Sequence, residues 1–356
     1  MSGAHNETPP LPQFQTWPIS NRRFRTNPQK RTPGLQLELH THFYTQAYFD
    51  NVRESGGDFS FDQDPTVITQ QVRAFLRHYS PDERRNLRLE AMDLVGIDVQ
   101  VASLYTPNIV YTDSQRQPFV ARMMNNSYAD LVSKYPKRFK AFASVSMDNP
   151  NEALKELPMG ELKLNGVILL RNIGAGALTS PQYRPFFAEA NHMKLCIFLH
   201  LMLPVNTESH KDTWSGRYRL FDGPNARCRA HVLRRHAQGT FQTFGGSIGH
   251  IGGALPYLME RMDSGNRDVA ECSFQIDELQ SVYLKRIYYD TVTFSLHNLM
   301  MTRDLVGSDH MVRGSDFPHL LGLIDKAVSS IEALNIPVSE KRRIFEGTAT
   351  SILNNV

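Results

Sequence analysis

Cysteine is scarce in this chain of 356 residues: Cys196, Cys228 and Cys272 are the only three. They are too few and too scattered for a disulfide framework and lack zinc-knuckle spacing, so a reducing, cytoplasmic setting is expected. Long apolar runs are missing as well. Nothing approaches the roughly 20 residues a membrane helix needs, and the N-terminus carries prolines and polar residues where a signal peptide would need an apolar core. Charge of one sign is also lacking, with 39 basic residues against 36 acidic for a formal +3. That balance gives no electrostatic case for nucleic acid or an anionic membrane as partner. Local clusters such as Asn21 to Arg25 and Lys341 to Arg343 read as a solvated tail and a helix face. With 41% apolar residues, the chain can bury one barrel-sized core.

Residues 1–34 hold Pro9, Pro10, Pro12, Pro18, Pro28 and Pro33 without a sustained period, which predicts an extended arm. Eight short apolar segments follow: Leu35 to His40, Asp98 to Leu104, Phe139 to Ser146, Gly166 to Leu170, Leu195 to His200, Phe244 to His250, Arg286 to Asp290 and His310 to Ser315. Helical spacing recurs between most of them, as in Glu83 to Val95, Phe119 to Tyr135, Tyr183 to His192, Ala226 to His236 and Tyr257 to Met262. Strands alternating with helices imply parallel pairing through right-handed crossovers, and eight units close a barrel. The fold class is therefore α/β, a distorted (β/α)8 barrel over residues 35–356. Two terminal helices, Leu320 to Leu334 and Ser339 to Asn354, would complete it. Long insertions after the first strand and over 201–225 fall on the rim where such barrels keep their sites.

The first strand ends in Leu39-His40-Thr41-His42. Side chains alternate faces along a strand, so His40 and His42 share one face about 7 Å apart. Two imidazoles so placed are half of a tetrahedral metal site; the remainder has to come from other strands. Strand five ends at His200, strand six at His250, and strand eight runs into Gly314-Ser315-Asp316-Phe317-Pro318. Histidines with one aspartate suit Zn²⁺ best, with Mn²⁺, Fe²⁺ or Co²⁺ as alternatives.

These motifs, together with Phe198-Leu199-His200, Gly249-His250-Ile251-Gly252-Gly253-Ala254-Leu255-Pro256, Glu90 to Gln100 and Lys134 to Phe139, resemble the amidohydrolase superfamily over roughly residues 35 to 355. Within it they are similar to the branch typified by 2-amino-3-carboxymuconate-6-semialdehyde decarboxylase. The resemblance implies a single divalent metal held by His40, His42, His200 and Asp316, with His250 and Asp316 as catalytic groups. It also implies that Arg261 binds a substrate carboxylate. The sequence departs from the branch at His200-Leu201, where His-Pro is usual, and at His250-Ile251-Gly252-Gly253, where His-Gly-Gly-Gly is usual. Some relatives use Glu-x-His in the first strand, a spacing that Glu38 and His40 also offer. The pair His40 and His42 is preferred because Glu38 would lie deeper in the barrel. Lys163 precedes the fourth strand and does not end it, which argues against a two-metal site bridged by lysine.

The expected activity is a metal-dependent decarboxylation of a carboxylated aromatic or muconate-like molecule, with hydrolysis of an amide, lactone or C–C bond as the alternative. A catalytically silent scaffold would be favoured had a strand-end ligand been missing. Homodimer formation is expected from the arm and from family habit. Phe43, Tyr44, Tyr48, Trp214, Phe294 and Phe317 in the rim segments favour a planar substrate.

Overall fold

A computed structural model describes residues 31–55, 81–105, 108–110, 112–156, 162, 164–170, 180–200, 246–269, 278–319 and 322–353. The strands are β1 (Leu37–His42), β2 (Val99–Ser103), β3 (Phe139–Ala141), β4 (Ala143–Ser144), β5 (Gly166–Leu170), β6 (Cys196–His200), β7 (Gly246–Ile248), β8 (Tyr288–Asp290), β9 (Met311–Val312) and β10 (Gly314–Phe317). The described α-helices are α1 (Gln46–Glu54), α2 (Pro81–Val95), α3 (Gln117–Lys134), α4 (Pro150–Glu156), α5 (Arg184–His192), α6 (Leu255–Asp268), α7 (Gln280–Leu284), α8 (Leu296–Val306), α9 (Ile324–Glu332), α10 (Val338–Arg342) and α11 (Thr348–Leu353).

Every strand pair is parallel. The order is β10-β1-β2-β3 in one arc and β4-β5-β6-β7-β8-β9 in the other. Single-residue interruptions at Phe142 and Arg313 separate the arcs, so each of the third and eighth expected strands is one segment in two pieces. First and last strands are neighbours, as a distorted (β/α)8 barrel requires. Leu37, Leu39, Val99, Val101, Ile168, Cys196, Phe198 and Val312 of the strands form one buried apolar cluster with Phe142 and with Ala349, Ile352 and Leu353 of α11, and a larger one fills the layer between strands and helices.

Helix α3 shows how this layer holds the strand ends. Its buried residues Gln117, Val120, Ala121, Met124, Asn125, Tyr128 and Leu131 recur at helical spacing, with a proline in its first turn. Along that face Asn125 bonds both the N–H and the carbonyl of Ser144, at 2.9 and 3.0 Å. Tyr128 donates to the Phe43 carbonyl at 2.6 Å, just past β1. The arm's last residues are tied down too: Thr32 donates through its N–H and hydroxyl to Glu332 at 2.7 and 3.0 Å.

Several boundaries differ from those expected. β1 runs two residues further, so both histidines lie within the strand. α1 occupies part of the segment expected to lack a helix. β7 stops at Ile248, and His250 opens a 3-10 turn where a strand end was expected. The single terminal helix expected from Ser339 is α10 and α11 with a π turn between them, Arg343–Gly347. The helix expected over Ala226 to His236, the 201–225 insertion and Lys163 fall outside the described residues.

β1 and β10 approach closely because Gly314 has no side chain. A Cβ at Gly314 would stand 2.7 Å from the His40 Cβ and 3.0 Å from Val292 Cγ2. We expect Gly314→Ala to destabilise the fold by roughly 1–3 kcal/mol, as overpacking does, and to weaken metal binding. Denaturant unfolding and elemental analysis check this.

Candidate metal centre

His40 and His42 come from β1, His200 ends β6, and Asp316 lies in β10. All four are buried. Nε2 of His40 lies 3.1 Å from that of His42 and 2.9 Å from that of His200, and the last two are 3.1 Å apart. Asp316 Oδ1 lies 3.1 Å from His42 Nε2, 3.4 Å from His40 Nε2 and 4.0 Å from His200 Nε2. Four donors held at about 2.0–2.1 Å in a tetrahedral array are about 3.3–3.4 Å from one another. The observed separations bracket that spacing, so the donor set fits one divalent ion.

The outward ring nitrogens fix the tautomers. His40 Nδ1 pairs with Asp290 Oδ2, which places its hydrogen on Nδ1 and leaves Nε2 as the donor to metal. His42 Nδ1 lies 3.1 Å from the Ser103 hydroxyl, whose own hydrogen goes to the Thr41 carbonyl at 2.7 Å. Ser103 therefore accepts from His42, and His42 Nε2 is bare as well.

Asp290, at the end of β8, does more than orient His40. Its carboxylate also accepts the backbone N–H groups of His250 at 2.9 Å, Ile251 at 2.8 Å and Val292 at 3.0 Å. His250 and Ile251 both adopt positive φ, 55° and 50°, a region costly for a β-branched residue. Two hydrogen bonds to one buried carboxylate hold that turn. It sets the His250 ring 5.1 Å from His40 and 5.2 Å from His200, centroid to centroid. A ligand-type atom of His250 lies within 4.8 Å of those of His40, His200 and Asp316.

Glu38 is turned away. The β1 to β2 register shifts between Glu38 and Thr41, so the two-residue alternation breaks and Glu38 no longer shares a face with the histidines. It accepts from Gln100 at 2.7 Å, and Gln100 accepts from Arg88 of α2 at 2.7 Å. The expectation that Glu38 lies deeper in the barrel is thus corrected: through Gln100 it is tied to Arg88, in the layer beneath α2. Arg88 also donates to the His42 carbonyl, and its guanidinium lies 5.1 Å from the Phe43 ring and 4.8 Å from that of Phe317. One buried cation thereby braces the chain beside two ligands. Arg261 stands on α6 with its side chain exposed, and the described structure does not bring it into the cluster.

Sequence reasoning missed Asp290, Ser103, Tyr105 and His319. Asp290 carried a usable signal, an acidic residue ending a predicted barrel strand. Tyr105 lies 4.1 Å from the His200 ring and 5.0 Å from that of His319.

A family profile described as amidohydrolase matches residues 38–354. The chain belongs to the amidohydrolase family. It is 25% identical over 332 residues to 6-methylsalicylic acid decarboxylase of Penicillium expansum, covering 89% of this chain and 95% of that protein. It is 23% identical over 339 residues to 2-amino-3-carboxymuconate-6-semialdehyde decarboxylase of Dictyostelium discoideum, covering 90% and 92%. The solved dihydroxybenzoic acid decarboxylase of Polaromonas sp. JS666, holding manganese and the inhibitor 2-nitroresorcinol, superposes with a TM-score of 0.74 at 24% identity, covering 90% and 97%. The amidohydrolase kinship is therefore with enzymes that remove carbon dioxide.

Burial opposes charge on His40, but Asp290 and Asp316 outweigh it and push the imidazole up to about 9 in the metal-free chain. Burial and the neighbouring imidazoles hold His200 well below its ordinary value, and burial does the same to His42 against the pull of Asp316. Burial opposes ionisation of Asp316, but bonds to His40 and His42 hold it well below the carboxylate range. Below pH about 9 a metal must therefore displace a proton from His40 Nε2. Apparent metal affinity should rise with pH up to about 9, with close to one proton released per ion at pH 7. Calorimetric metal titration in buffers of different ionisation enthalpy measures that proton.

Proposed function

We propose that this chain is a metal-dependent carboxy-lyase that releases carbon dioxide from a carboxylated aromatic or muconate-like small molecule. The observation that carries it is the four-donor cluster flanked by His250, in a chain whose relatives are decarboxylases over nearly their full length. His40, His42, His200 and Asp316 would hold the ion, and three nitrogen donors with one oxygen support zinc. Manganese in the Polaromonas relative keeps that ion as the alternative. When bound, the metal would polarise a substrate oxygen and fix the anionic edge of the substrate.

The residues divide the remaining work. Cleavage requires a proton on the ring carbon that bears the carboxylate; the electron pair of the C–C bond then returns to the ring as CO2 leaves. Asp316 would share the acid/base work with His250, its carboxylate held below the ordinary range in the metal-free chain by bonds to His40 and His42 that outweigh burial. His250, on the turn clamped by Asp290, carries the proton, histidine being the side chain that exchanges protons near neutrality. Tyr105 and Tyr44 supply aromatic walls beside His200 and His319. Arg261 enters as the cation for the substrate carboxylate, supported by the family resemblance, while its exposure on α6 sets it apart from the buried groups. The proposal further includes residues 1–34 as an arm on a 35–356 barrel domain, a homodimer, and a cytoplasmic setting consistent with the buried, unpaired Cys196. Among the described residues no helix is long and apolar enough to cross a membrane.

Elemental analysis coupled to a screen of carboxylated aromatic and muconate-like acids, following both CO2 and substrate, tests this reading. One metal per chain with CO2 evolved is the expected result; substrate lost without CO2 would replace it with a hydrolase. Asp316→Ala should abolish turnover and metal retention while circular dichroism stays native-like. Full activity in that variant would refute the site. Arg261→Ala should raise KM for carboxylated substrates with kcat little changed, whereas a fall in kcat and in unfolding midpoint without a rise in KM would reduce Arg261 to a structural role.

A further inference from the structure

The polar layer beneath the ligands holds three atoms that do not match. Arg313 is the single residue between β9 and β10, and its backbone is fixed on both sides. Its N–H donates to the Ile344 carbonyl at 3.2 Å, and its carbonyl accepts from Leu39 N–H at 2.9 Å. The side chain therefore has to stay in the layer, where the residue is 0% exposed. Nη1 donates to Gln36 Oε1 at 2.9 Å, and the guanidinium carbon lies 5.2 Å from the Phe345 ring centre. Nε and Nη2, along one edge of the guanidinium, are buried without a hydrogen-bond partner among the described residues.

Glu38 presents the complementary deficit. It too is 0% exposed. Oε2 accepts from Gln100 at 2.7 Å, while Oε1 is buried without a hydrogen-bond partner among the described residues. Arg313 is the strongest opposite charge acting on Glu38, and Glu38 the strongest acting on Arg313. The two face each other across the layer without a hydrogen bond between them. Leaving charged groups dry and unbonded is strongly destabilising, and folded chains almost always satisfy such atoms.

The chemistry of the three atoms decides what can satisfy them. The Arg313 edge only donates, and a carboxylate oxygen only accepts. An anion would suit Arg313 but repel Glu38, and a cation would add to the charges that Arg88 and Arg313 already bring. Water accepts and donates at once, and buried waters bridge polar groups in this way.

We propose that one buried water molecule bridges the Arg313 edge to Glu38 Oε1, accepting from Nε–H and Nη2–H and donating one hydrogen to the carboxylate. The bridge crosses the seam between the first and last strands. Glu38 stands two residues before His40 and Arg313 three before Asp316, so it pins the segments that carry both. Pinning matters there because the β1 to β10 register shifts between His40 and Thr41. The bridge is independent of the carboxy-lyase reading.

A high-resolution crystal structure of the full chain tests this. Electron density for one water within hydrogen-bond distance of both Arg313 and Glu38 is the expected result. Direct contact between the two side chains would overturn the inference, as would a dry cavity between them. A bromide peak at the Arg313 edge in anomalous maps after bromide exchange would also overturn it, making this an anion site. Thermal unfolding of Arg313→Met, Glu38→Met and the double variant supplies a second readout. Each single variant strands a buried charge and should lower the midpoint, whereas the double should lose less than the two single shifts together. Fully additive shifts would refute coupling between the two groups. The wild-type density decides the identity of the bridge even where a variant fails to fold.

Discussion

A carboxylate sealed from water has to be surrounded by donors, and Asp290 gathers its donors from the two parts of the chain that the chemistry needs together. The His40 ring supplies one, and the backbones of His250, Ile251 and Val292 supply the others. Burial opposes its charge, yet His40 and these N–H groups hold it anionic, below the ordinary carboxylate range. One buried group thus orients the His40 ring and fixes a left-handed turn that a β-branched residue would otherwise resist. Removing its charge would loosen both the His40 ring and the His250 turn, so the two cannot be tuned separately.

A second, independent brace comes from outside the barrel. Arg88 reaches from α2 to the His42 carbonyl and lies between Phe43 and Phe317, each one residue beyond a ligand. Its link through Gln100 to Glu38 makes a buried polar layer beneath the ligands, and within it burial raises the Glu38 pKa against the pull of Arg313. Such layers resist sliding of one strand on another, because displaced partners would be left charged and unpaired.

Much of this was readable from the chain. Period-two alternation placed His40 and His42 together, apolar segments marked the barrel strands, and the Gly-Ser-Asp-Phe-Pro stretch located Asp316. What escaped detection depended on backbone irregularity. The register shift that expels Glu38 leaves no trace in a hydrophobic pattern, nor do the positive φ angles of His250 and Asp316. Asp290 ends its segment with a carboxylate that the sequence shows, but only the tertiary structure reveals that His40 and the His250 turn converge on it. His319 lay hidden behind Pro318, because a turn that returns to its origin through Gly322 reads as a loop leaving the strand.

The adjacency of the first and last strands has a consequence for how the protein is made. His42 and Asp316 are 274 residues apart in sequence, and β1 pairs with β10 only when nearly the whole chain is available. During synthesis β1 precedes its partner β10, and its two histidines wait for a carboxylate that lies 274 residues further along the chain. Contacts of such long range form late. Tight capture of the ion is then an end-point of maturation that a truncated or stalled chain cannot reach, and retained metal reports that the ring has closed.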